Sequence, residues 1–483
     1  MKKISVILAV VLCMTAAVCR ADSANGYIVK LKSSNKVALF AATSDSIAND
    51  AITPIAGSFK LYTVQTKELC DELIATGTAE YAEPDQTVTL CDDLGQPDDP
   101  DYPASQVNIF KINAISAWNL GIYGNDVKIG YVDSGIYPHS ELKAAIAGGH
   151  NYITPDGDDS SAKTDDGTED DKTDDYGDTY GHGTFGAGII AAEANNFGGI
   201  GVAPRAKLYS LKCFTGRTGK LVDIISAVNG AVNTFGCKVI NMSFGFESYS
   251  SSLASVINDA YSKGTILVAA AGNDNRNSSS YPGAYSNVIS VASFDLNEKK
   301  DSFSNYGTGV NLAAMGSSLK SCYINGENSY RFPWEGTSFA APCVSAAAAL
   351  CLNINPNMTQ SEFMAILNST CTPLEDNSYY LGAGMLNIEN IMNYMMKGKT
   401  EYYSPVSIYN GNAFQVITNF GEEPMSFADI WGTDTGYGLK NATVEPNSSY
   451  KSTFAVNSAD SMIKHFLWKS IESLMPIYKY SNH

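Results

Sequence analysis

The sequence predicts a three-layer α/β/α domain on a mainly parallel sheet over residues 92–397. A small α+β unit precedes it and a small β-sandwich over 398–483 follows. Three observations carry this. Continuous apolar runs recur at 129–133, 208–214, 239–244, 266–271 and 288–293. Strands apolar on both faces need helices on both sides, as parallel sheets have. Between two of these runs, Leu221, Ile224, Ile225, Val228, Ala231 and Val232 keep helical spacing. Near residue 400 the composition turns to Tyr, Phe, Ser, Asn and Thr. Strand-like pieces at 414–418 and 450–455 follow, with glycine turns at Asn410-Gly411 and Gly432-Thr433.

In chain order, Lys2-Lys3, the apolar run 4–18 and Cys19-Arg20-Ala21 read as a signal peptide over 1–21, so secretion is expected. Cleavage falls after Ala21, with Cys19 as the alternative. No later stretch is uniformly apolar over the roughly 20 residues a span needs, so no membrane span is expected. Residues 22–91 form a separate unit: an alternating strand at 26–31, a short helix at 67–76, and extended pieces at 79–85 and 86–90.

The net charge is −18, and residues 156–178 hold eleven acids against Lys163 and Lys172. Such a block is a solvated surface loop or a calcium ligand set, the two readings being evenly weighted. The acidity argues against nucleic acid or an anionic membrane as partner. Of ten cysteines, Cys343 and Cys351 fall on an apolar helix, and Cys213 and Cys237 lie in or beside core strands. Buried free thiols are expected, with a Cys213–Cys237 bridge as the alternative. Zinc-type spacing is absent.

Four motifs carry chemistry. Gly336-Thr337-Ser338-Phe339-Ala340 opens a small-residue helix, with Pro342 four residues past the serine. That placement predicts a helix start near Ser338, where proline in the first turn costs no hydrogen bond. A buried strand ends in Asp133-Ser134-Gly135. Gly181-His182-Gly183-Thr184 leads into the apolar run 185–192. Ala270-Ala271-Gly272-Asn273 ends another strand. An aspartate can orient an imidazole, the imidazole take a serine proton, and the serine attack a carbonyl. Asn273 can donate an amide N–H to the developing oxyanion, beside the backbone N–H of Ser338.

These motifs, in this order, resemble the subtilisin-type serine endopeptidases, the subtilase family, over roughly residues 100–395. The resemblance implies peptide-bond hydrolysis through an acyl-enzyme, with Asp133, His182 and Ser338 as triad and Asn273 as oxyanion donor. Residues 22–91 are similar to the family's inhibitory propeptide, cut near 90–93, so the partners implied are polypeptide substrates and the chain's own propeptide. A monomer is expected. The segment Ser243-Phe244-Gly245-Phe246 resembles the substrate-binding strand, where Phe246 replaces a frequent glycine and is expected to narrow or reshape the primary pocket. The pocket floor falls near Ser280, which encodes no charge preference, and broad cleavage after apolar or medium residues follows. Glu141 and the loop at 193–199 resemble a calcium site. Asn195 would ligate through its side chain, and Glu193, Phe197 and Gly199 through carbonyls. Phe185 stands where relatives often have a second histidine, and Phe339 where methionine is common.

Overall fold

The computed structural model describes residues 27–31, 52–54, 61–64, 66–76, 78–84, 106–153, 175–195, 197–374, 379–409, 412–433, 437–455, 462–468 and 478–481. The signal segment 1–21, the extended piece 86–90, most of the acidic block and the turn at 410–411 lie outside them. The chain divides into two compact units, Met1–Asp92 and Asp93–His483.

Seven strands of the second unit form one sheet, in the order Leu312–Met315, Ile289–Phe294, Ile266–Ala270, Val239–Met242, Lys128–Asp133, Lys207–Lys212 and Ile146–Asn151. All neighbours run parallel. Strand alternation sorts the apolar side chains between two cores. Ile129, Tyr131, Val239, Ile266 and Val268 face one, with the helices His182–Ala191 and Thr337–Ile354. Val132, Ile240, Met242, Leu267 and Ala269 face the other, with Leu221–Asn233 and Ser251–Ser262. Period-2 alternation with both faces apolar is what makes three layers.

All five apolar runs overlap strands of this sheet, and those at 208–214, 239–244 and 266–271 run one or two residues past the strand's carboxyl end. Two further strands escape sequence reading. Ile146–Asn151 has little apolar surface and lies half-exposed at one edge. Leu312–Met315 is four buried residues, two of them alanine, at the other. From Lys128–Asp133 the chain winds first toward one edge, then returns to Val239–Met242 on the opposite side and winds toward the other. That reversal puts a crevice beyond the carboxyl ends of these two adjacent strands. By length and composition Thr337–Ile354 is apolar enough to cross a membrane, yet most of it is buried in the core.

In the first unit, Ile52–Pro54, Leu61–Val64, Tyr27–Leu31 and Ala79–Pro84 form an antiparallel sheet in that order. The helix Lys67–Ala75 is capped by Thr66, whose hydroxyl accepts from the Leu69 N–H, and it buries Leu69, Cys70 and Leu73.

Beyond residue 400 two four-stranded antiparallel sheets face each other. Ile417 of one packs with Met425, Phe427 and Val444 of the other. The core also holds a polar cluster. His465 meets the Asp429 carboxylate through Nε2 (2.6 Å) and the Gln415 side-chain oxygen through Nδ1 (2.7 Å). Asp429 also accepts from the hydroxyls of Ser452 (2.6 Å) and Tyr450 (3.0 Å), so its charge is buried but solvated by donors. These sheets belong to the same compact unit as the parallel sheet. Phe414 packs edge-on against Tyr123, centroids 6.0 Å apart.

The described cysteines Cys70, Cys213, Cys237, Cys322, Cys343, Cys351 and Cys371 are unbridged. Burial pushes the thiols of Cys237, Cys343 and Cys371 up to about 12, which suppresses thiolate at neutral pH. Alkylation without reductant is therefore expected to be slow on folded protein and complete at all seven after denaturation. A pair found protected in the unfolded chain would overturn this.

Candidate active site

Asp133 is the last residue of its strand, Ser243 follows Val239–Met242 directly, and Asn273 lies just past Ile266–Ala270. A parallel sheet sends all three carboxyl ends the same way, so the three residues share one rim. His182 and Ser338 reach that rim from the N-terminal turns of two helices packed side by side. Asp133, His182, Asn273 and Ser338 line a single cavity of about 360 Å³, with Ser243, Phe244 and Gly245 also on its lining.

The imidazole Nδ1 of His182 lies 2.8 and 3.0 Å from the two Asp133 carboxylate oxygens. A carboxylate only accepts, so Nδ1 donates and Nε2 is left facing outward. Burial works to lower the His182 pKa, but the charge and hydrogen bond of Asp133, with Asp178 behind, hold it above the ordinary histidine value.

Ser338 is the second residue of its helix, which begins at Thr337. Pro342 is therefore the sixth helical residue, past the first turn, and the expectation that it costs no hydrogen bond is corrected. Having no N–H, it leaves the Ser338 carbonyl without its partner four residues on. The Ser243 hydroxyl takes that place, donating to the Ser338 carbonyl at 2.6 Å. Ser243 is itself held by Asn241 (2.8 Å), which accepts from Ser345 (2.9 Å). The Ser338 hydroxyl donates to the Ser243 carbonyl at 2.9 Å, and no hydrogen bond joins it to His182 among the described residues.

The orientation of Asn273 is fixed from behind. Its Oδ1 accepts from the Thr337 N–H (2.9 Å) and hydroxyl (2.8 Å), which leaves Nδ2 to donate. Gly336 has φ +150°, and a Cβ there would lie 3.4 Å from that Nδ2. That is ordinary contact, so the positive φ, not space, is what calls for glycine here.

Sequence reading counts Asp178 within the acidic block; the structure buries it beside the histidine. One carboxylate oxygen accepts from the Ser134 hydroxyl and the N–H groups of Tyr180 and Gly181. The other accepts from the Thr184 N–H and hydroxyl. Its position four residues before His182, at the mouth of a helix, was the available signal. Asp178→Asn removes a charge that raises the imidazole. Since a neutral imidazole is needed to accept a proton, the acid limb of kcat/KM is expected to move to lower pH. A pH profile with an unmoved acid limb would exclude this coupling. The new amide N–H would also face the Thr184 donors, costing roughly 1–3 kcal/mol of stability.

Phe185 and Phe339 pack on each other at 4.6 Å, and Trp334 closes the group at 5.1 and 4.9 Å. His182 lies against both Phe339 (5.2 Å) and, at near right angles, Trp334 (5.8 Å). The two residue changes noted in sequence are thus one aromatic support beneath the imidazole. Phe246 is half-buried. Its ring turns toward Tyr281 (6.1 Å) and its backbone pairs with Tyr281, outside the cavity lining. Ser280 also lies off the lining, wedged between Gly245 and Gly272.

Glu141 is fully buried against the loop at 193–199. The Glu193 N–H donates to its carbonyl (3.0 Å), and the Tyr330 hydroxyl to its carboxylate (3.1 Å). The Asn195 side-chain oxygen accepts from the Phe197 N–H (3.1 Å). A carboxylate, an amide oxygen and backbone carbonyls are donor types that calcium takes. No group of three or more His, Cys, Asp or Glu side chains gathers among the described residues.

Residues 124–385 match the Subtilase family. Subtilisin Savinase of Lederbergia lenta is 36% identical over 282 residues, 58% of this chain and 96% of that protein. A thermostable alkaline protease of Halalkalibacterium halodurans is 36% identical over 277 residues, 57% of this chain and 70% of that one. A solved structure of a protease from Pseudoalteromonas arctica superposes with TM-score 0.56 at 30% identity. It covers 62% of this chain and 100% of its own. With this sheet, this crevice and these relatives, the chain belongs to the subtilase family and is a subtilisin-like serine endopeptidase.

Proposed function

We infer that the chain is exported as a zymogen and that the mature enzyme cuts peptide bonds through an acyl-enzyme on Ser338. The carrying observation is that Asp133, His182, Asn273 and Ser338 line one cavity, with Nδ1 of the imidazole committed to Asp133. For the reaction the Ser338 hydroxyl must leave the Ser243 carbonyl and turn to the imidazole. Such bonds often tighten only once substrate is bound. His182 then accepts the proton and later passes it to the leaving amine. Asn273 Nδ2 and the Ser338 N–H receive the oxyanion.

The substrate chain pairs in extended form along residues 243–246, gaining affinity from main-chain bonds with little side-chain preference. Residues 22–91 act as folding aid and inhibitor, cut near 90–93; the separation of the chain into two units at Asp92 agrees with that reading. One copy carries every proposed catalytic group, so a monomer suffices. The test is a fluorophosphonate probe followed by peptide mapping. Adduct on Ser338 is expected; adduct elsewhere, or none on active protein, would refute the acyl-enzyme.

Calcium would be held by Glu141 and Asn195 side chains with the carbonyls of Glu193, Phe197 and Gly199, and would neutralise the buried carboxylate. Chelation is expected to lower the melting temperature and added calcium to restore it. A melting temperature unmoved by either would remove the calcium site.

A further inference from the structure

The cavity carries a charge that the hydrolytic reaction does not use. Arg331 lies on the strand Tyr330–Trp334, which pairs with Leu319–Cys322 beside the nucleophile. Its guanidinium is 3.6 Å from the Trp334 ring centroid, and it donates to the Tyr323 hydroxyl at 3.4 Å. Trp334 in turn is wedged against Phe185, Phe339 and His182. Stacking occupies the guanidinium face and leaves most of its in-plane N–H donors free for a carboxylate.

Position follows from the proton path. The acyl portion of a substrate runs along Ser243-Phe244-Gly245. The imidazole hands its proton to the departing amine, so the surface on the Trp334 side of His182 meets the leaving half. Arg331 and Trp334 both line the cavity there, and neither Arg331 nor Arg217, a second lining arginine, has an ion pair among the described residues. Arg276, by contrast, is paired with Glu247 at 2.6 Å. Arg217 is exposed on the hairpin Phe214–Thr215/Thr218–Gly219 and adds a second positive charge to the same cavity. Glu335 also lines the cavity, but it is exposed and pairs with neither arginine among the described residues.

We propose that Arg331 is a specificity-determining residue that selects polypeptides with Asp or Glu in the first two positions after the scissile bond. This rests on the acyl-enzyme reading and deepens it. Stacking fixes the guanidinium before substrate arrives, so a bidentate carboxylate contact costs little further ordering.

The test uses mature enzyme and internally quenched peptides that differ only by Glu, Ala or Lys at the first or second position after the cut. Glu is expected to exceed Lys in kcat/KM by roughly ten- to a hundredfold, chiefly through KM, with the gap shrinking at high salt. Arg331→Ala should cut the ratio to the small part that Arg217 sustains and Arg331→Glu invert it, while Arg331→Lys keeps a weakened preference. Equal cleavage of Glu and Lys peptides, or a Glu preference that survives Arg331→Glu, overturns the proposal. Fluorophosphonate labelling separates the two readings. Equal cleavage with Ser338 labelled sinks the charge preference alone, whereas failure of labelling sinks the acyl-enzyme.

Discussion

Ser338→Ala is expected to lower kcat by on the order of 10⁶, the scale established for subtilisin itself when its nucleophile is lost. The fold should survive. The Ser338 side chain is half-buried, and its hydroxyl bonds only to the Ser243 carbonyl among the described residues. The bond that matters to the helix, from the Ser243 hydroxyl to the Ser338 backbone carbonyl, is untouched. The thermal midpoint should therefore hold while activity collapses. If maturation is intramolecular, the variant also accumulates uncut precursor, and adding active enzyme in trans trims it. Appreciable residual hydrolysis after purification from any other protease would remove Ser338 from the reaction.

Asp133→Asn is expected to lower kcat by about 10⁴ with little loss of substrate binding. Asp133 is 3% exposed, and its Oδ1 also accepts from the Ser134 N–H at 2.7 Å. In the variant the amide oxygen keeps that bond, which turns Nδ2 toward the imidazole. Two donors cannot face each other, so the ring shifts its proton to Nε2, the atom that must take the serine proton. The nucleophile is present but has no base. Measured kcat and KM decide it, for a loss mainly in KM would mean Asp133 shapes the cavity instead of setting the tautomer.

Sequence legibility differed from residue to residue, for identifiable reasons. The five principal strands were visible because a strand covered on both faces must be apolar throughout. Ile146–Asn151 was not, since an edge strand with glycines has no such pattern. His182 and Ser338 stood out because their neighbours are glycine and small residues, a local requirement of a helix mouth. Asp178 was hidden because a carboxylate that accepts five hydrogen bonds looks, as a letter, like its ten acidic neighbours. Phe185 and Phe339 read as two unrelated departures; nothing short of their 4.6 Å contact makes them one support for the imidazole.

By itself the sequence determined the layer architecture, the reaction type and the side chains suited to it, because periodicity and residue chemistry are local properties. Tertiary structure decided what depends on convergence: that the Ser243 hydroxyl replaces the bond Pro342 cannot make, that Phe246 faces Tyr281, and that the Trp334 ring carrying Arg331 lies against His182. Each is a distance between residues remote in the chain, and packing alone sets those distances.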